Sequence, residues 1–296
     1  MGLRNFTRKL MCCAMFAASV VSANAEDKLL ILGDGVWGGW SLSNSVVMES
    51  SSDQPKVWKA TVCLNANAGF KFLTETDFGC FQYRSGDSDV TLESGVEGKL
   101  YDSEENTNDN KFKVAEKANY DIVCDLENKT VKVTKAAYQA TELKHAMLWL
   151  IGSATSGGWN LGDMTKLPQD TANPTVYSGV YDLNEGELKI GVNKYGGWDQ
   201  TFYLRDVNDD TKMVFGGDDN KWNITEAGKY YIKVDVASMT ILITTDIPTG
   251  INATNAGSNA APTEYYTISG MKTNATAPGL YIMKKGDKVV KVKKEF

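Results

Sequence analysis

The chain has 296 residues, of which 42% are hydrophobic and 23% are charged, and its formal net charge at pH 7 is −6. This acidic balance argues against nucleic acid or an anionic membrane as the main partner. The length fits two domains of ordinary size better than one.

The first 25 residues have the features of a secretory signal. Basic side chains precede an apolar run that ends in a small-residue pattern, which predicts cleavage before Glu26. The run is too short to cross a bilayer, and no later segment approaches the roughly 20 apolar residues that a membrane helix needs. A lipoprotein signal would place its cysteine at the end of the run, whereas Cys12 and Cys13 lie near its start. We therefore expect an exported protein without a lipid anchor.

The mature chain keeps three cysteines, an odd number that cannot pair completely within the chain. Strand alternation places Cys124 on the same side as Tyr120 and Ile122, so Cys124 is expected to be a small buried hydrophobe. Cys63 and Cys80 could form a bridge, but the fold does not depend on it. We expect no disulfide framework.

Residues for catalysis or metal binding are scarce. The only histidine, His145, stands in a linker before the second repeat described below, and we expect it there or at the surface without a catalytic partner. A zinc site or a Ser-His-Asp triad therefore has no basis. The acidic stretches 206–211 and 216–220 lack the spacing of an EF-hand and are read as polar turns. We predict no enzyme, no cofactor and no metal.

A duplication organises the mature chain. The stretch "LLILGDGVWGGWSL" (29–42) aligns with "LWLIGSATSGGWNL" (148–161), and "NKFKVAEKANYDIVCDLENKTVKV" (110–133) aligns with "NKWNITEAGKYYIKVDVASMTILI" (220–243). The second copy is shorter between these blocks. The difference falls in 85–110, a polar and acidic stretch expected to be a loop with little regular structure.

Each copy predicts an antiparallel β-sandwich. The alternation over 230–237 has the period of a strand with one buried face. The stretches "DLENKT" and "DVASMT" predict hairpin turns into a final strand. No segment has a sustained helical period, and several short strands separated by turn signals are typical of an Ig-like sandwich. The fold class is thus all-β, with tandem Ig-like modules at 26–136 and 145–246.

The end of the chain differs from both repeats. Residues 247–263 are rich in Gly, Asn, Ala and Pro, which predicts a linker. Residues 264–296 alternate like three short strands and carry seven lysines, so we expect a small β segment whose edges stay soluble.

The aromatic residues point to function more than any other group. Exposed aromatic rings flanked by amide and cationic side chains suit sugars, because the apolar face of a pyranose stacks on the ring while donors meet its hydroxyls. The second copy offers Trp159 after a double glycine, Lys189, Trp198 after another double glycine, and Asn220. Trp159 could equally serve the core, whereas Trp198 stands in a loop between strands. We expect the glycines to leave the indoles uncovered.

The first copy keeps only part of this set. Trp40, Lys71 and Asn110 are retained, but Phe78 stands where the second tryptophan would fall, and Tyr83 could partly replace it. We expect this copy to bind more weakly or not at all.

The second copy resembles the SusE and SusF outer-membrane starch-binding proteins of Bacteroidetes, through "GSATSGGWN", "VYSGVYDLNEGELKI", "GGW" and "NKWNITEAGKYYIKVDV" within 148–243. The first copy, 29–134, is less similar. The resemblance implies tandem carbohydrate-binding modules that hold α-glucan at the cell surface without cleaving it. It also favours Trp159, Lys189, Trp198 and Asn220 as sugar contacts, and outer-membrane glycan-uptake proteins as partners.

The tail, with "YTISGMK" and "APGLYIMKKGDKVVKV", resembles the C-terminal sorting segments of secreted Bacteroidetes proteins. That resemblance implies delivery to the surface without a lipid. Two other classes of function stay open: a structural or adhesive surface protein whose aromatic residues are all buried, and a glycosidase, which needs two carboxylates in one cleft.

Overall fold

A computed structural model describes residues 27–248, 263–267, 272–273, 279–285 and 288–294. The predicted signal peptide and most of the predicted linker lie outside these residues. The described chain is built of strands, with two single 3₁₀ turns, Leu42–Asn44 and Leu161–Asp163. The predicted all-β class is confirmed. No described helix is long and apolar enough to span a membrane.

Twelve strands form a first sandwich. They are β1 (Leu30–Leu32), β2 (Val46–Val47), β3 (Glu49–Ser51), β4 (Gln54–Leu64), β5 (Lys71–Leu73), β6 (Gln82–Arg84), β7 (Val90–Leu92), β8 (Glu97–Lys99), β9 (Tyr101–Asp102), β10 (Phe112–Val114), β11 (Ala118–Asp125) and β12 (Thr130–Lys135). The inner sheet has the order β2-β1-β5-β6-β9, and the outer sheet has the order β3-β4-β11-β12-β8. Their facing side chains, including Phe72 and Ile122, enclose the first core.

Nine strands form a second sandwich. They are β13 (Met147–Ile151), β14 (Thr165–Pro168), β15 (Val176–Leu183), β16 (Gly186–Gly191), β17 (Phe202–Arg205), β18 (Met213–Phe215), β19 (Trp222–Ile224), β20 (Gly228–Asp235) and β21 (Thr240–Thr244). The inner sheet runs β14-β13-β16-β17-β18, with β19 also paired to β16, and the outer sheet runs β15-β20-β21. Ile190 and Ile232 belong to the core between them.

The predicted hairpins are confirmed. β11 pairs with β12 across "DLENKT", and β20 pairs with β21 across "DVASMT". Each turn contains one residue in the left-handed region, Lys129 at φ 51° and Met239 at φ 53°. The Asp125 side chain accepts hydrogen bonds from two backbone N–H groups of its turn, which explains why an acidic residue opens it.

The two inner sheets pack face to face, so the two sandwiches, within residues 27–248, form four layers with three apolar cores. Along β1, Ile31 points into the first core while Leu30 and Leu32 point towards the second sandwich. Along β13, Leu150 points into its own core while Trp149 points towards the first sandwich. Both strands are therefore buried on both faces, which accounts for their uninterrupted apolar sequences.

His145 is buried at the junction of the sandwiches, although we expected a linker or surface residue. Its ring lies 4.9 Å from the ring of Trp37 and 5.7 Å from those of Tyr203 and Phe215. Burial, with a smaller contribution from the charge of Lys144, lowers its pKa to about 3. The residue is therefore neutral at physiological pH and fills the seam between the two units.

Three further expectations need correction or refinement. The stretch 85–110 is more regular than predicted, because it contains β7, β8 and β9. β7 pairs with β10 in parallel, so the first sandwich is not purely antiparallel. The described residues of the tail form four strands rather than the three predicted: β22 (Thr263–Thr267), β23 (Lys272–Thr273), β24 (Gly279–Lys285) and β25 (Lys288–Lys294).

The cysteines follow the prediction. Cys63, Cys80 and Cys124 are all free thiols, and Cys124 is buried in the first core. Burial raises the pKa of the Cys124 thiol well above its ordinary value, as expected for an inert core residue.

Candidate functional site

The second sandwich carries an aromatic platform made of two tryptophans. The ring centroids of Trp159 and Trp198 lie 6.3 Å apart, and their planes are inclined by 46°. Trp198 is 51% exposed, whereas Trp159 is half-buried at the margin of the core between the sandwiches. Trp198 also stacks on Phe202 of β17, with centroids 6.0 Å apart. The platform therefore rests on the core and presents its outer faces to solvent.

The double glycine before Trp159 is required by the loop that presents it. A Cβ on Gly157 would collide with the backbone carbonyl of Asp163, and Gly158 lies in the left-handed region at φ 57°. The backbone N–H of Gly152 closes the loop onto the carbonyl of Gly158 at 3.0 Å. The glycines thus shape the loop, which is a more specific role than the uncovering of the indole that we expected.

A buried lysine lies beneath the platform. Lys189 of β16 is 6% exposed, and its Nζ lies 3.9 Å from the ring centroid of Phe202 and 5.3 Å from that of Trp198. At these distances the cation is attracted to the electron-rich ring faces. Burial of an unpaired ammonium would be costly. Its Nζ is paired with Asp219 Oδ1 at 2.8 Å.

Asp219 bridges two lysines at the edge of the platform. Its second carboxylate oxygen lies 3.0 Å from Nζ of Lys221, which itself lies 5.8 Å from the ring centroid of Trp159. Burial raises the pKa of Asp219, but hydrogen bonds from Lys189 and Lys221 outweigh it, so the pKa lies below its ordinary value. The site therefore holds a permanent carboxylate acceptor between two ammonium donors at neutral pH.

The first sandwich repeats the cluster around one tryptophan. Trp40 is 36% exposed, and Nζ of Lys71 and of Lys111 lie 5.7 Å and 5.6 Å from its ring centroid. Asp109 pairs with both lysines, at 2.6 Å and 3.2 Å. The Trp-Lys-Asp-Lys arrangement is thus a property of the repeat.

The second ring is what the first sandwich lacks. Phe78 is 49% exposed in the corresponding loop, but the described residues show no ring contact between it and Trp40. Gln82 stands where Phe202 supports Trp198, and its Nε2 donates to the Phe78 carbonyl at 2.5 Å. We expected that Tyr83 could partly replace the missing ring, but Tyr83 is buried in the first core and cannot do so.

The structure brings together three of the four residues predicted in the second copy, namely Trp159, Lys189 and Trp198. Asn220 is adjacent in sequence to the ion-paired residues, and its carbonyl accepts from the Arg205 N–H at 3.1 Å. In the first copy, the Asn110 side chain donates to the Gly86 carbonyl at 2.6 Å.

Sequence reasoning missed four residues of these clusters: Asp219 and Lys221 in the second sandwich, and their equivalents Asp109 and Lys111 in the first. The signal was present, because both copies contain Asp-Asn-Lys at the aligned positions 109–111 and 219–221. The prediction of a polar turn at 216–220 overlooks the two ion pairs of Asp219.

The other acidic stretch does behave as predicted. Carboxylates of Asp206 and Asp209 accept backbone N–H groups two residues ahead, as turn residues do. Within the described residues, no group of three His, Cys, Asp or Glu side chains could hold a metal ion.

Comparison with known proteins finds no match among curated proteins. Among solved structures, the crystal structure of SusF from Bacteroides thetaiotaomicron is 13% identical, with a TM-score of 0.32. That match covers 87% of this chain but spans only 57% of the SusF chain. Residues 147–243, which comprise the second sandwich, match the family model of the SusF/SusE starch-specific carbohydrate-binding modules, as the sequence resemblance predicts.

Proposed function

We propose that this chain is a non-catalytic, exported glycan-binding protein that holds starch-like α-glucan at the cell surface. The observation that carries the proposal is the pair formed by half-buried Trp159 and exposed Trp198 within the segment that matches the starch-specific family model. The second sandwich is the stronger site, because the cluster of the first sandwich around Trp40 contains a single ring.

The inclination of the two rings favours an α-glucan. Successive glucosyl units of an α-linked chain turn relative to one another, so the chain curves and presents inclined sugar faces. Two rings inclined by 46° can each meet one face, whereas coplanar rings would suit a flat chain. The Asp219 carboxylate and the half-buried Lys221 are placed to accept from and donate to the sugar hydroxyls at the edge.

The exposure of Trp198 suits a polymer. Trp198 projects from a loop and is half exposed, so a long chain could pass across the platform in both directions. Small-molecule sites are usually concave and enclose most of their ligand. The half-exposed ring, 6.3 Å from a second ring, therefore favours an internal stretch of polysaccharide over a free monosaccharide.

We also propose the organisation of the full chain. It comprises a signal peptide (1–25), two modules (26–136 and 145–246), a linker (247–263) and a C-terminal β tail (264–296) that serves as a sorting segment. Export supports a place at the outer membrane or cell surface, with other glycan-uptake proteins as neighbours. The signal-like leader and the alternating, lysine-rich tail support this arrangement.

One of the two other classes of function, a structural or adhesive surface protein, requires aromatic residues that are all buried. The exposure of Trp198 at 51% favours the glycan site.

Affinity electrophoresis tests the proposal. Migration of the purified protein in native gels should be retarded by amylopectin and not by a mixed-linkage β-glucan, and Trp198→Ala should remove most of the retardation. Unchanged wild-type mobility in amylopectin and in other α-glucans would refute starch binding.

A further inference from the structure

The loop that carries Trp198 is held by the other sandwich. The loop joins β16 to β17, and buried Gln200 closes it internally, because its side chain accepts from the Asn193 N–H at 3.0 Å and donates to the Gly197 carbonyl at 2.8 Å. This closure makes the loop a compact unit. Its position relative to the platform then depends on what the unit rests against.

It rests against the 3₁₀ turn of the first sandwich. Asn193 Nδ2 donates to Ser45 Oγ at 3.0 Å, and Asn44 Oδ1 accepts from the Thr201 N–H at 2.8 Å. A Cβ on Gly196 would collide with the carbonyl oxygen of Ser43. The first sandwich thus contacts the Trp198 loop of the second sandwich at both of its ends, Asn193 and Thr201, and near its centre at Gly196.

These contacts are not inherited from the repeat. Asp163 and Met164 occupy the aligned positions of the second copy where the first has Asn44 and Ser45. The register of β1 with β2 matches that of β13 with β14, which fixes the alignment. Only the copy that contacts the partner loop has the polar pair.

We propose that the turn Leu42–Ser45 is the support that orients Trp198, so that the glucan site of the second sandwich is completed by the first. Asn44 is a positioning residue, because its side chain accepts a hydrogen bond from the backbone N–H of Thr201. The next residue is Phe202, and the Trp198 ring stacks on the Phe202 ring. The inference rests on the proposed function for its ligand. The contacts that orient the ring stand without it.

Asn44→Ala tests the support. Loss of the acceptor leaves the Thr201 N–H unpaired, and we expect about fivefold weaker binding of maltoheptaose by titration calorimetry on the full mature chain. Asn44→Asp keeps an acceptor and should bind like the wild type. Glu49→Gln is the matched control, because it breaks an ion pair with Lys166 between the sandwiches without touching the loop, and should leave affinity unchanged.

Two readouts separate positioning from general destabilisation. In a Trp198→Ala background, Asn44→Ala should cause no further loss of affinity, since its effect passes through that ring. In the unliganded protein, ¹⁵N relaxation should show a more mobile Trp198 indole N–H in Asn44→Ala than in Glu49→Gln. Equal losses of affinity in both backgrounds, or an unchanged indole mobility, would overturn the inference. If the wild type fails to bind maltoheptaose, the proposed function fails, and the relaxation experiment still decides whether the turn orients the ring.

Discussion

Replacement of Trp198 by alanine is the sharpest test of the platform, and the exposure of the ring sets the size of the effect. A fully exposed tryptophan side chain presents about 250 Å², so 51% exposure leaves about 130 Å² available to a ligand. A sugar that covers one face removes about 65 Å² from water, which is worth about 1.6 kcal/mol at about 25 cal/mol per Å². Trp198→Ala should therefore raise the Kd for maltoheptaose about 15-fold.

Trp198→Ala should also lower the free energy of unfolding, and the buried area of the ring sets an upper limit on that loss. The buried half of the ring, about 120 Å², limits the loss of unfolding free energy to about 3 kcal/mol, and this is an upper estimate because the unfolded chain is not fully extended. Binding should be measured by titration calorimetry well below the melting temperature of the variant, which circular dichroism provides.

Phe78→Ala is the matched control, because Phe78 is 49% exposed in the corresponding loop of the first sandwich. It should change the affinity less than twofold. A loss as large as that of Trp198→Ala would refute the ranking of the two sites, and an unchanged affinity in Trp198→Ala would refute the platform itself.

Three further predictions concern charge and packing. The pKa of His145 is about 3 in the folded protein, below the ordinary 6.5, so protonation of this residue favours the unfolded state. The free energy of unfolding should therefore fall as the pH is lowered from about 6.5 to about 3, by up to about 1.4 kcal/mol per pH unit. Urea titrations of His145→Phe should lack this pH-dependent loss. The Asp219 carboxyl, followed by ¹³C NMR, should titrate below its ordinary pKa of 3.8. The ionised carboxylate stabilises the folded protein at neutral pH, and this contribution should be lost as the pH falls through the lowered pKa. Lys189→Met should raise the pKa of Asp219. The second sandwich expressed alone, residues 145–246, should elute as oligomers in size-exclusion chromatography, because Met147, Trp149 and Ile151 would be exposed to water. A stable monomer would contradict the packing of the two inner sheets against each other.

Local pattern was enough to predict the strands of the repeated blocks and the exposed tryptophan. The duplication located both copies of the Gly-Gly-Trp loop, and the place of Trp198 between two strands indicated its exposure. The alternation along β20 and the turn residues at 125–130 likewise depend on neighbours in sequence. Such features are encoded where they occur.

Features that depend on distant partners could not be read in this way. The neighbours of His145 in sequence offer no partner and so predict a linker residue, but the rings of Trp37 and Phe215 pack against it. The apolar runs of β1 and β13 indicate strands buried on both faces, but nothing in them says that each run covers the other. The prediction that Tyr83 partly replaces the missing ring is wrong because spacing alone does not say that β6 is buried on both faces, with Tyr83 in the first core.

The shared core between the sandwiches changes what can be gained or lost as a unit. Modules on a flexible linker can be added, removed or reordered one at a time, because each keeps a polar exterior. Here deletion of the second copy would expose Leu30 and Leu32 of the first to water, and deletion of the first copy would expose Trp149 of the second. The unit that can be duplicated or deleted without exposing this core is therefore the pair of sandwiches. A longer array could form only by addition of whole pairs, or of copies that had first acquired a polar outer face.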